Sequence, residues 1–197
     1  VAPAHRSRTR RSLQGSHVVG ERGIVPAMEI RDTIPRQFVA CVETYNRPDA
    51  FRHKQQGKWL NVSHREMLDQ VHTLALGLRD LNIAKTDRIA LLSENRLEWA
   101  VTDLAIQMAG GVTVPIYPTL IPAQVEFILR DADVRVIFVS SAGQAAKVAA
   151  MRAKLPLLEH IIAFDADAAG EGVDAYEDVV RRGRKLGEPD AAHMAAQ

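Results

Sequence analysis

Residues Ser93–Thr119 run SENRLEWAVTDLAIQMAGGVTVPIYPT. The first half has helical spacing and stops at Gly110-Gly111; the second, Val112–Ile116, is an apolar run of strand length with Pro115 and Pro118 at its far end. Just upstream, Asp87-Arg-Ile-Ala-Leu-Leu-Ser93 has the look of a short buried strand. Strand, helix and strand in this order make a βαβ unit, which implies parallel pairing. A proline inside a central strand removes a ladder donor, so Pro115 belongs on an edge or at a strand's carboxyl end. In open parallel sheets ligands sit outside the carboxyl ends of the strands. The stiff turn Ile116–Leu120 therefore either presents Tyr117 and Thr119 to a ligand or simply ends the strand and aims the next helix.

The alternation continues on both sides. Thr33 and Pro35 open a helix as cap and first-turn residue, and Gln55-Gln56-Gly57 separates two short runs as a β-hairpin near the N-terminus. Ser63-His-Arg-Glu66 is a capping box. Behind it Met67, Leu68, Val71, Leu74, Ala75, Leu78 and Leu81 form one apolar stripe at helical spacing. Asn95 with Glu98, and Asp174 with Glu177, repeat the cap-and-acid pattern. Pro122 starts a helix through Arg130, Val134–Val139 is a strand, Ser141–Gln144 caps a helix, and His160–Phe164 is a further strand. The expected fold is α/β: a three-layer sandwich with a mostly parallel sheet covered on both faces.

The 197 residues are 47% hydrophobic, enough for a sizeable core, and no stretch approaches the roughly 18 apolar residues of a membrane span. Cys41 is the only cysteine, which rules out an intramolecular disulfide or a CxxC metal site and suits a reducing, cytoplasmic compartment. The net charge of +1 is uneven: residues 1–27 carry five arginines and one glutamate, leaving 20 basic and 23 acidic residues in the rest. That mildly acidic body gives no support to a nucleic-acid role. Residues 1–27 have no apolar period and are expected to form a disordered basic tail: an upstream extension, a solvated arm or an Arg-rich targeting peptide. Residues 28–187 are expected to be the α/β unit, and 188–197 a truncated linker.

DRIALLSENRLEWAVTDLAIQMAGGVTVPIYPT, followed by AQVEFILRDADVRVIFVSS, resembles the N-terminal region of the AMP-forming acyl-CoA synthetases, most closely the long-chain fatty-acid–CoA ligases. The likeness runs in weaker form from about Phe38 to about Phe164. It departs at Thr86, Leu97 and Ile121, where Gly, Pro and Ser are usual; none of the three would carry chemistry.

The resemblance implies a parent reaction in which a fatty acid attacks ATP to give acyl-AMP, from which CoA displaces AMP, with Mg²⁺ offsetting phosphate charge. The phosphate loop and catalytic lysine of that family lie beyond the region resembled, so no catalytic residue is assigned here and the chain alone is expected to be inactive. No G-x-x-x-x-G-K-[ST] or G-x-G-x-x-G is present, and Gly170-Glu-Gly172 has an acid where a phosphate cradle would not. No cluster has metal-ligand spacing, and His64 and His72 are expected to face solvent. Carried over residue by residue, the CoA positions are Tyr117, Pro118 and Thr119 with Gln144 and Lys147. Lys147 would meet a phosphate at a helix start and Tyr117 would lie along the adenine; otherwise these are a solvated Lys and a packed Tyr. Gln144 stands where Arg is frequent.

The expected partners are fatty acid, ATP, CoA and a missing C-terminal part, in cis or on a second chain, with room for peripheral membrane contact and none for nucleic acid. A stand-alone Rossmann-like CoA-binding or interaction module, and one half of a split ligase, are the alternatives. In the resembled proteins the sheet packs on a second α/β layer, so an exposed apolar face is expected.

Overall fold

A computed structural model describes residues 33–187; the expected basic tail and the expected linker at 188–197 lie outside the described residues. Helix α1 (Ile34–Tyr45) has Thr33 as its cap and Pro35 in its first turn. Strands β1 (Phe51–Gln55) and β2 (Lys58–Val62) form a separate antiparallel hairpin. Its turn residues Gln56 and Gly57 both have positive φ, the backbone twist that a two-residue hairpin needs.

Helix α2 (His64–Asp80) begins with the reciprocal Ser63–Glu66 capping box. Strand β3 (Arg88–Leu92) leads to α3 (Leu97–Met108), β4 (Val112–Ile116), α4 (Pro122–Asp131), β5 (Val136–Val139) and α5 (Ala142–Ala149). Strand β6 (His160–Ala163), the two-residue β7 (Asp174–Ala175) and α6 (Tyr176–Leu186) complete the order.

The five-stranded sheet has the order β4-β3-β5-β6-β7 and every pairing in it is parallel. Alternate residues of each strand enter alternate cores, as the period of two demands. Ile89 and Leu91 of β3, Val136 and Phe138 of β5 and Ile162 of β6 meet α2, α3 and α6. Ala90 and Leu92, Ile137 and Val139, and Ile161 and Ala163 meet α4 and α5 on the other face. The result is the expected three-layer sandwich. Met67, Val71, Leu74, Ala75 and Leu78 of the α2 stripe are fully buried and Leu68 packs beside them.

Several expectations need correction. Sequential strands of a parallel sheet usually neighbour each other, but here β3 lies between β4 and β5, so the strand before Tyr117 and the strand before Lys147 are not adjacent. Strand β4 is an edge strand, and that accommodates its proline. The Val112 N–H donates to Asp87 of the neighbouring segment, so by alternation the Thr113 and Pro115 backbones face away from β3, where the proline's missing N–H interrupts nothing. Arg96, not Asn95, occupies the cap of α3, and it makes no side-chain cap bond. Asp174 does not cap α6, because it lies in β7 and meets His160 Nδ1 at 3.0 Å.

His64 does not face solvent. It is buried, its Nδ1 accepts the Arg47 N–H at 3.1 Å, and its own N–H donates to the Arg47 carbonyl at 2.9 Å. His72 is half-buried. Both sheet faces are covered by helices; the exposed apolar residues stand elsewhere, among them Ile121 and Phe127 of the α4 region, Val112 at the β4 edge and Trp59 on the hairpin.

Candidate functional site

Three loops meet at the carboxyl edge of the sheet: those after β3, β4 and β5. The sequence of each explains its shape. After β4, Pro118 fixes φ at the second position of a turn, which the Leu120 N–H closes onto the Tyr117 carbonyl at 3.1 Å. Pro122 then opens α4 at a position where a missing N–H costs little. Gln124 Oε1 accepts the Ile121 N–H at 3.3 Å and so supplies half of the cap that Ile121 itself lacks.

The turn is clamped by α5. Gln144 Nε2 donates to the Pro118 carbonyl at 3.0 Å. Lys147 Nζ donates to Pro118 O at 3.2 Å and to Leu120 O at 3.1 Å. The structure therefore brings Pro118, Gln144 and Lys147 together, although β3 intervenes between their strands. Two of the three ammonium donors are used on the turn and one is left. The Gln144 Oε1 atom is buried without a partner. Among the described residues Tyr117 is 77% exposed, and Lys147 is half-buried. A charged amine held at fixed carbonyls and an open phenol ring can bind an anionic, ring-bearing ligand.

A second cluster, missed in the sequence, ties the other loops. Arg96 makes a two-point contact with Glu98 (2.8 and 3.2 Å) and also bonds Asp165 at 2.8 Å and the Ser140 carbonyl at 3.4 Å. Its guanidinium lies over the Phe164 ring, 5.3 Å from the centroid. Hydrogen bonding to Glu98 raises the Arg96 pKa above its ordinary value, with Asp165 adding to it and burial opposing. Burial pushes the Glu98 carboxyl up, but the Arg96 hydrogen bonds and charge outweigh it and hold the group below its usual range. Beside them Tyr176 meets Phe164 edge-on at 5.3 Å, and burial raises its phenol pKa, helped by the Glu98 charge. This cluster joins α3 to the ends of β5 and β6, so it holds the edge of the sheet in shape. An Arg one residue before a helix with Glu two residues on was its only trace in the sequence.

The Gly170–Gly172 loop is no phosphate cradle. Gly170 N–H donates to Val173 O and Val173 N–H to Gly170 O, both at 3.0 Å, so these amides are taken. Among the described residues no group of three His, Cys, Asp or Glu side chains is placed to hold a metal. No helix among them is long and apolar enough to cross a membrane.

Residues 39–196 match the family model described as AMP-binding enzyme. The long-chain-fatty-acid–CoA ligase FadD15 of Mycobacterium bovis is 33% identical over 141 residues, which is 72% of this chain and 22% of that protein. Human long-chain-fatty-acid–CoA ligase 6 is 32% identical over 139 residues, 68% of this chain and 18% of the relative. The chain thus spans about a fifth of the length of the curated relatives it matches. Among solved structures, the A domain of carboxylic acid reductase from Segniliparus rugosus, in complex with AMP and a co-purified carboxylic acid, superposes with a TM-score of 0.67. It is 18% identical and shares 77% of this chain and 30% of its own, a likeness of fold.

Proposed function

This chain belongs to the AMP-binding enzymes, and from that we propose that it is the N-terminal α/β part of an ATP-dependent, AMP-forming long-chain fatty-acid–CoA ligase. The match over residues 39–196 carries the reading, together with the long-chain ligases among its relatives. Fatty acid, ATP with Mg²⁺, and CoA are the substrates and cofactors of the whole enzyme in this proposal. No described residue forms a phosphate cradle or metal cluster, so no adenylation step is assigned to these residues. The ATP and Mg²⁺ chemistry belongs to another part of the enzyme, in cis or on a second chain, and these residues alone are inactive.

The contribution we assign to this part is binding. The fit at the Tyr117–Thr119 turn favours CoA: Lys147 keeps one free donor for a phosphate oxygen, Gln144 Oε1 is buried and unpartnered, and Tyr117 offers a free ring face. CoA, when bound, supplies the thiol that accepts the acyl group. The Gln144 and Lys147 side chains hold the turn in one conformation before a ligand arrives, which lowers the ordering cost of binding.

Two measurements test the proposal. The chain should show no ATP–pyrophosphate exchange with any fatty acid, and exchange above that of a boiled control would overturn its assignment as inactive. Millimolar CoA, corresponding to roughly 4 kcal/mol of binding, should shift the NMR signals of Tyr117 and Lys147. An unchanged spectrum would leave the turn a structural device.

A further inference from the structure

The β1–β2 hairpin stands apart from the main sheet, and its chemistry differs from the rest of the chain. Residues 50–62 contain Arg52, Lys54 and Lys58, with His53, and no acid. Residues 28–197 hold 20 basic and 23 acidic side chains, so the body without this hairpin carries six more acids than bases. Arg52, Lys54 and Lys58 are all exposed. So are two large apolar neighbours, Trp59 at 60% and Leu60 at 41%.

Register decides how these groups are displayed. Lys54 pairs with Trp59 and Arg52 with Asn61, so these four share one face, and the Arg52 guanidinium lies 5.8 Å from the Trp59 ring centre. Leu60 pairs with His53 on the opposite face. Toward its base that second face is anchored, by buried Val62 and by Phe51 set edge-on against His64 at 5.9 Å. The base is thus rooted in the core, while both faces of the tip are at once basic and apolar. The nearby acid Glu98 is already occupied by Arg96.

We propose that this hairpin docks the protein on the headgroup layer of an anionic phospholipid bilayer. Trp is the side chain best suited to that depth, with an apolar body and one N–H for the wet side. Each lysine or arginine near an anionic surface adds to the attraction. The exposed leucine on the other face of the tip gains by entering the acyl boundary, and has nothing to gain on a phosphate backbone. A nucleic-acid platform would instead need a flat face with successive aromatic rings, whereas the tip carries one ring and bends around a two-residue turn. The acidic body is repelled from the same surface, so the hairpin leads.

Co-sedimentation of the whole chain with phosphatidylcholine vesicles, with and without phosphatidylglycerol, tests the proposal. Binding should require the anionic lipid and weaken as salt is added. The Lys54→Glu/Lys58→Glu pair should lower partitioning by about tenfold or more. Trp59→Ser should lower it severalfold with the charges intact. In a Trp99→Phe background, Trp59 emission should move to the blue on binding. The four substituted positions are not in the fully buried core, and an unchanged melting curve checks that the variants fold. Equal binding to neutral vesicles would overturn the proposal. So would binding that survives both hairpin variants, since the Arg-rich segment 1–27 would then be responsible. Displacement of vesicles by an oligonucleotide that binds the hairpin more tightly would also overturn it.

Discussion

Gly77 of α2 and Gly183 of α6 let two helices touch backbone to backbone. A Cβ on Gly183 would run into the Thr73 carbonyl and stand 3.0 Å from the Gly77 nitrogen. A Cβ on Gly77 would run into the Val179 carbonyl. Neither obstacle is a flexible side-chain end, so the helices would have to separate. Gly183→Ala and Gly77→Ala should each lower stability by about 2–3 kcal/mol, the cost of overpacking, measured by urea unfolding. Gly143 of α5 has open space around its would-be Cβ, and Gly143→Ala should leave stability unchanged or raise it by up to about 1 kcal/mol.

His64 makes the fold acid-sensitive. Burial lowers its pKa below 6.5, and the Arg47 charge lowers it further. Burial lowers that of His72 as well, with Asp69 opposing. The unfolded chain therefore takes up protons first. Stability should be full above pH 6.5, fall as pH drops through the interval down to the depressed folded values, and then level off. His64→Asn, whose side-chain oxygen can accept the Arg47 N–H without titrating, should flatten part of that slope. A slope unchanged from the wild type would remove His64 from the account.

Arg96→Met should destabilise the protein most near neutral pH. It leaves Glu98 and Asp165 without the cation that both use. The Glu98 carboxyl is depressed in the native protein, so its contribution is present above the ordinary value of 4.5 and is lost as pH falls through the folded value. The gap between wild type and variant should therefore narrow below about pH 4.5. A gap that stays constant across that range would mean that Arg96 acts only by packing on Phe164.

Pro115→Val should restore an amide on the outer edge of β4. Only the Thr113 N–H faces outward from that strand among residues 112–116, and proline leaves the next outward position without a donor. An exposed edge with a continuous row of donors is a template for pairing with another copy. The variant should show concentration-dependent association by sedimentation velocity, where the parent does not.

The fold was legible where one local signal ruled. The α2 stripe, the Ser63–Glu66 box, the Gln56-Gly57 turn and the apolar runs of β3 to β6 follow from periodicity and turn chemistry. Strand order was not legible, because β3 becomes central through pairing with segments on both sides of it, and no residue in it states which neighbours it will take. Strand β7 is too short for any period. Asp174 satisfies the composition of a cap, but a tertiary partner, His160, claims its carboxylate. The burial of His64 has the same kind of cause: the groups around it, Arg47 and Phe51, come from outside its own helix. At the candidate site the choice of residues rests on family likeness, and the clamp of Lys147 on the Pro118 and Leu120 carbonyls was not legible, since it joins a helix to a loop across an intervening strand.

The pairing of α2 with α6 also dictates an order of events during synthesis. Helix α2 ends at Asp80 and its cover, α6, begins at Tyr176. A ribosome adding about 5–20 residues per second leaves that side of the core uncovered for some 5–20 seconds. Leu74 and Leu78 wait through all of it and Phe138 from the moment it is made, while the β3–β4–β5 sheet and its α4–α5 cover can form before α6 is complete. The newborn chain is thus half-closed for seconds, with an apolar trough along α2 open to whatever holds unfinished proteins. A stop codon placed before residue 176 would make that trough permanent.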